Sequence, residues 1–180
     1  MCIRDSLKPE LFEPVYTSEN LSMTPAIINT LIIASLSLLI AVPIGVFSAI
    51  FMVEYAGSTN KFVAVVRMAA ETLAGIPSIV YGIFGMLLFV EILFHAYCLA
   101  AGVLTMAIMI LPLVMRTTEE ALKSVPASFR EGSFALGAGK LRTIFKIVLP
   151  STVPGILSGI ILALGRVVGE TAALISVSYT

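Results

Sequence analysis

Apolar residues fall along this chain in long unbroken runs, not in strict alternation, and four of the runs are long enough to cross a bilayer. A hydrocarbon core about 30 Å thick requires about 20 apolar helical residues. The stretches Ala26–Val53, Leu73–Phe94, Tyr97–Met115 and Ile147–Val168 meet that length. The first has room to tilt or to bend at Pro43 and Gly45, and the second is punctuated by Gly75, Pro77, Gly82 and Gly85. Only His95 and Ala96 separate the second from the third, which predicts a tight turn there. Tyr55–Thr72 reads as a loop after the first span.

The segment 116–146 breaks this pattern with shorter periodicities. Ser128 and Glu131 have the Ser-x-x-Glu spacing of a capping box, predicting a helix start. Gly137 is placed to end that helix in the left-handed conformation. Phe129, Ser133 and Leu136 recur at i, i+4, i+7 and predict one shared face. Beyond Gly139, the residues Leu141, Ile144, Phe145 and Val148 recur at i, i+3, i+4, i+7. The expectation is a short amphipathic helix, a glycine elbow, and a second helix entering the membrane at Leu149-Pro150. Such a segment suits either a helix lying on lipid headgroups or a rigid knob offered to a soluble partner.

Composition sharpens the class. Of 180 residues 58% are hydrophobic and 12% charged, with a mean hydropathy of +1.04. Soluble domains carry about 25% charged residues, so lipid is the natural solvent for this chain. Eleven Lys and Arg balance eleven Asp and Glu, which disfavours nucleic acid as a partner. Basic residues orient the spans: Lys61 and Arg67 follow the first, while Arg116, Lys123, Arg130, Lys140, Arg142 and Lys146 lie between the third and fourth. Both groups fall on one side if four spans alternate, which puts 116–146 in the cytoplasm and the start of the chain outside. Cys2, Cys98 and the single His95 make no metal or redox spacing, and no G-x-x-x-x-G-K-[ST] loop is present. Residues 1–23 read as a leader whose first six residues, Met1–Ser6, resemble a translated adapter scar, so both ends of the chain are expected to be cuts.

The spacing within the polar segment resembles that of inner-membrane permeases of ABC transporters. Their signature is Glu-Ala-Ala, three residues, Gly, nine residues, Ile-x-Leu-Pro. Here Glu131-Gly132-Ser133 precedes Gly137, and Ile147-Val148-Leu149-Pro150 closes the pattern. Gly132 and Ser133 replace the two alanines but keep the small size. Further stretches resemble phosphate-specific permeases: Leu73–Gly82 with its Gly75-Ile76-Pro77-Ser78 break, and Glu54-Tyr55-Ala56. The runs Ile110–Leu122 and Gly165–Ala173 look like the PstA-type subunit, not its PstC-type partner. The resemblance implies an all-α polytopic bundle over 24–180, with a coupling segment at 116–146. It also implies a multi-pass location in the cytoplasmic (inner) membrane and six spans in the full family pattern. The implied partners are a PstC-type second permease, a cytoplasmic ATPase dimer and an extracytoplasmic phosphate-binding protein. No cofactor is implied on this chain; ATP and Mg belong to the ATPase, so the chain is a transporter subunit and not an enzyme. Glu131, Gly132, Ser133, Gly137, Ile147, Leu149 and Pro150 would couple to that ATPase.

Ionisable residues within spans are functional candidates. Arg166 and Glu170 stand one turn apart, and an arginine at mid-bilayer costs at least about 2.5 kcal/mol, so it should face protein or water. Its planar donors suit two oxygens of an oxyanion, with Glu170 holding it in the interim. A structural ion pair or an arginine reaching for the outer interface fits the same residues. Arg116 is read as a positive-inside anchor or as part of the pathway, and Glu91 as interfacial. The break at Gly75, Pro77 and Ser78 would free amides toward an anion, or serve as a packing kink. The expected function is one permease half of a phosphate importer. Other oxyanions such as molybdate or sulfate, and a non-transporting scaffold or remnant, are the alternatives.

Overall fold

The computed structural model describes residues 24–56, 61–95 and 98–170. The leader 1–23, the end 171–180 and Ala96 lie outside them, and with these the expectations for the adapter-like start, Thr171–Ala173 and half of the predicted turn. Among the described residues seven α-helices make up the bundle: α1 Thr24–Ile50, α2 Lys61–Ala74, α3 Ser78–Gly85, α4 Leu99–Ser124, α5 Ala127–Ala135, α6 Lys140–Thr143 and α7 Leu149–Gly169. Three widen into π-helical turns, α1 through Phe51–Tyr55, α3 through Met86–Phe94, and α6 through Ile144–Val148 into α7. No strand occurs among the described residues. Three helices have the length and apolarity to cross a membrane (Ile28–Tyr55, Leu99–Ser124, Lys140–Gly169), and the bent pair Lys61–Ala74 with Ser78–Leu93 makes up to a fourth.

The central element is α4, flanked by α1, α7, α2 and α3. Its apolar residues Met106, Met109, Ile110 and Val114 are buried with Ala34 and Ala41 of α1, Tyr81 of α3, and Ala163 and Val167 of α7. Close approach is set by small residues. A Cβ on Gly159 would lie 2.3 Å from Thr117 Oγ1, and one on Gly155 2.6 Å from Ala121 Cβ, so α7 crosses α4 backbone against side chain. Gly85 meets Thr105 in the same way, and Gly45 faces Val114. These contacts replace the hydrophobic driving force that lipid withholds from helix association. Pro43 and Pro112 sit inside continuous helices.

Several boundaries differ from the sequence expectation. Residues 61–74 are helical, not loop: Val63, Val66, Arg67 and Ala70 form an i, i+3, i+4, i+7 face on α2 that its charged residues disguise. The third span does not stop at Met115, because α4 runs on to Ser124 with Thr118, Glu119 and Leu122 buried. The predicted second span is two pieces, bent by 102° where Gly75, Ile76 and Pro77 interrupt the helix. At the predicted tight turn, His95 takes a left-handed φ of 51° and ends the preceding helix.

Candidate functional site

The sharpest local feature is the elbow between α5 and α6. Pro126, with φ −54° and ψ 140°, sets the start of α5, and no side chain caps it. Ser128 therefore falls inside the first turn, and the predicted capping box is not made. The other end forms as expected. Gly137 takes φ +79°; its N–H donates to the Phe134 carbonyl at 2.9 Å, and the Ala138 N–H to the Ser133 carbonyl at 3.1 Å. These are the two bonds of a Schellman stop. The shared face of Phe129, Ser133 and Leu136 is corrected by packing. Ser133 is buried and shares a hydrogen bond of 2.8 Å with Thr143 Oγ1, while Phe129 and Leu136 point outward, Leu136 at 90% exposure. In the second half, Ile144 and Val148 go inward, and Leu141 and Phe145 stay out with Phe134. The elbow thus hides a polar pair and displays apolar side chains. Glu131 and Gly132 are exposed beside them, and Ile147, Leu149 and Pro150 lead into α7.

Arg130, counted in the sequence only as a positive charge, holds this elbow to the bundle. Its Nε and Nη2 donate to Glu54 Oε1 at 3.0 and 2.7 Å, and Nη1 and Nη2 donate to the carbonyls of Val125 and Leu122. The carbonyls belong to the unpaired C-terminal end of α4, which a guanidinium fork satisfies well.

A second charged group ties α2 to α4. Glu119, buried at 6% exposure, pairs with Arg67 of α2 and with Lys123 one turn on at 2.6 Å. Arg116 pairs with Glu120 at 3.2 Å, both largely exposed. Arg67, Glu71, Arg116, Glu119, Glu120 and Lys123 line a cavity of about 120 Å³ against Pro112 and Met115. Arg116 is thus brought to a mixed-charge cleft, not to an isolated anchoring position. Glu119, Arg67 and Glu54 were missed as site residues, although Glu54 stands in the Glu54-Tyr55-Ala56 run and Glu119 has the i, i+4 spacing with Lys123.

The third group surrounds the break. Gly75, Pro77 and Ser78 sit where α2 gives way to α3, and Pro77 with ψ 141° opens α3. Tyr81 Oη donates to the Leu73 carbonyl at 2.8 Å, so the carbonyl at the end of α2 is satisfied by a side chain. Arg166 lies in the last turn of α7 between Ala163 and Val167, which share the Tyr81 core, and Ile76 of the break packs against that same core. The fold therefore brings Arg166 and the break together. It does not pair Arg166 with Glu170: no ion pair joins them among the described residues, and Glu170 takes extended backbone beyond the helix end. Glu91 is exposed.

A helical bundle with one broken span and a protruding elbow defines the class: a multi-pass permease of the ABC importer type. The inward-facing MetNI methionine ABC transporter has the same fold, with a TM-score of 0.67 at 23% identity over 83% of this chain and 69% of that one. Residues 41–178 match the family described as binding-protein-dependent transport system inner membrane component, and the chain belongs to that family. Among similar proteins, "Probable ABC transporter permease protein YqgI" of Bacillus subtilis is 42% identical over 82% of this chain and 50% of its own length. "Phosphate transport system permease protein PstA 1" of Mycobacterium tuberculosis is 41% identical over 86% and 51%. The chain spans about half the length of these curated relatives.

Proposed function

We propose that this chain is the PstA-type permease subunit of an ATP-driven importer of inorganic phosphate. The observation that carries this reading is the elbow, which displays Phe129, Phe134, Leu136, Leu141 and Phe145 while burying Ser133 and Thr143. An apolar surface kept outside the fold at a rigid glycine stop is suited to a protein groove, and the groove proposed is that of a cytoplasmic ATPase dimer. Glu131, Gly132, Ser133 and Gly137 shape that knob, and Ile147, Leu149 and Pro150 join it to α7. ATP and Mg reside on the ATPase; this chain holds neither.

Phosphate is the substrate proposed because relatives at 41% identity carry phosphate transport in their names. Arg166 supplies a planar guanidinium beside the broken span, where Gly75 and Pro77 interrupt the helix and the Ser78 N–H lies in the uncapped first turn of α3. Together they offer charge-assisted bonds to tetrahedral oxygens in a setting with few other polar groups. Glu170 and the Arg116 cleft lie at either end of that route. A PstC-type second permease completes the pathway, and an extracytoplasmic phosphate-binding protein delivers the anion. Alternating access then follows from rigid-body movement of the spans as the ATPase closes and reopens.

The test is uptake of labelled phosphate in cells whose other phosphate transporters are removed, with sulfate and molybdate as competitors. Uptake that depends on the chain and resists both competitors supports the reading. Uptake competed away by either anion transfers the same machinery to that substrate, and no chain-dependent uptake overturns the reading.

A further inference from the structure

The end of α1 is gripped from two sides by the elbow. Phe51–Tyr55 forms a π-helical turn, closed by the Ala56 N–H on the Phe51 carbonyl at 3.0 Å. Such turns are uncommon and concentrate at functional positions. Two consecutive residues of this turn carry the contacts. Glu54 receives Arg130 from α5 through two hydrogen bonds, and the Tyr55 ring lies 4.9 Å under Lys140 Nζ from α6 while stacking on Phe51. Beneath both, Ala49, Ile50 and Met52 of α1 share a buried core with Leu122, Val125, Ile144 and Val148.

The Arg130–Glu54 pair is mostly shielded, with side-chain exposures of 20% and 9%. Separating such a pair leaves two charges without partners in a poorly solvated place, so it resists opening. A displacement of the elbow therefore carries the end of α1 with it. From there the movement has a rigid path. Along α1, Gly45 sits against Val114 and Ser37 donates to the Val103 carbonyl of α4 at 3.2 Å. Ala41 and Ala34 then reach the core that contains Tyr81 and Val167, beside the break.

We infer that α1 is a driven element of coupling, moved through the Arg130–Glu54 pair with Lys140 on Tyr55 beside it. Arg130 and Glu54 are positioning residues that touch neither ATPase nor phosphate. This inference rests on the proposed docking of an ATPase at the elbow.

The experiment compares E54Q and R130K with wild type in membranes holding the assembled transporter. ATPase retention, ATP hydrolysis and uptake of labelled phosphate are measured together. E54Q and R130K are expected to retain the ATPase and hydrolyse ATP as wild type does. Phosphate moved per ATP should fall about fivefold or more, the lower range of typical site-to-site coupling. An unchanged ratio overturns the inference, as does a parallel loss of all three readouts, which marks the pair as structural only. E54Q keeps the volume and one acceptor oxygen, so it decides the matter if Arg130 variants fail to accumulate. A wild-type chain that retains no ATPase overturns the proposed function instead, before any variant is compared.

Discussion

Ser133 and Thr143 share a buried hydrogen bond of 2.8 Å across the elbow, the one side-chain bond there between α5 and α6. Thr143 Oγ1 also donates to the Gly139 carbonyl at 3.2 Å, so it is not orphaned when Ser133 loses its hydroxyl. Ser133→Ala should therefore cost only about 1 kcal/mol, the net worth of one hydrogen bond. Ser133→Leu has no room at 5% exposure and should cost about 1–3 kcal/mol from overpacking. Thermal unfolding of the detergent-solubilised protein separates the two, and equal shifts would contradict the buried geometry.

At the crossing of α4 and α7, Gly159→Val puts atoms into Thr117, whose Oγ1 lies 2.3 Å from the site of a Cβ. We expect a loss of about 1–3 kcal/mol. Gly159→Ala combined with Thr117→Ala should be milder than Gly159→Ala alone, because the second change removes the 2.3 Å Oγ1 contact and leaves only the Cβ of residue 117 at 2.8 Å. Non-additivity in the unfolding midpoints of the two singles and the double is the readout.

Gly137 makes the opposite case. Nothing lies within 4 Å of its missing Cβ, but its φ is +79°. Gly137→Ala should cost about 1 kcal/mol from the left-handed backbone alone. Gly137→Leu adds a bulky group at the elbow's outer surface, and should uncouple phosphate uptake from hydrolysis while membrane insertion stays normal. Normal uptake at normal expression would remove the docking role.

Glu119→Gln leaves Arg67 and Lys123 without their shared buried carboxylate. With those cations 35% and 54% exposed, solvent recovers part of the loss, and a cost of about 1–3 kcal/mol is expected. Glu120→Gln, at an exposed pair, should stay within about 0.5 kcal/mol. Matching unfolding shifts for the two would show that burial of Glu119 has no energetic consequence.

Arg166→Gln should abolish phosphate uptake without lowering the amount of protein in the membrane. Arg166→Lys should fail nearly as badly, since an ammonium cannot present two donors in a plane. Wild-type uptake by the lysine variant would reduce Arg166 to a point charge.

How much was legible in the sequence differs from feature to feature. The elbow's stop at Gly137 could be read because a left-handed glycine is a local requirement. Its start could not be read from Ser128 and Glu131: Pro126 fixes the preceding backbone, so α5 begins two residues before the position that a capping box at Ser128 would cap. The face of α2 was hidden because Arg67 counts as polar in any window, although its partner Glu119 neutralises it from another helix. The run of α4 past Met115 was hidden because Arg116, Glu119, Glu120 and Lys123 each count as polar, although they pair with one another and with Arg67.

The sequence alone determined what depends on near neighbours and on solvent. Apolar runs longer than a bilayer required membrane helices, Gly75 and Pro77 required a break, and Gly137 and Gly139 between two short periodic stretches required the elbow. Tertiary structure alone decided the relations between distant residues. It joined Arg130 to Glu54, set Gly159 on Thr117, brought Arg166 to Tyr81 and turned Phe129 and Leu136 outward. Those outcomes depend on which helix lies beside which, and pairing across such separations has no local signal, because each side chain's partner is supplied by another part of the chain.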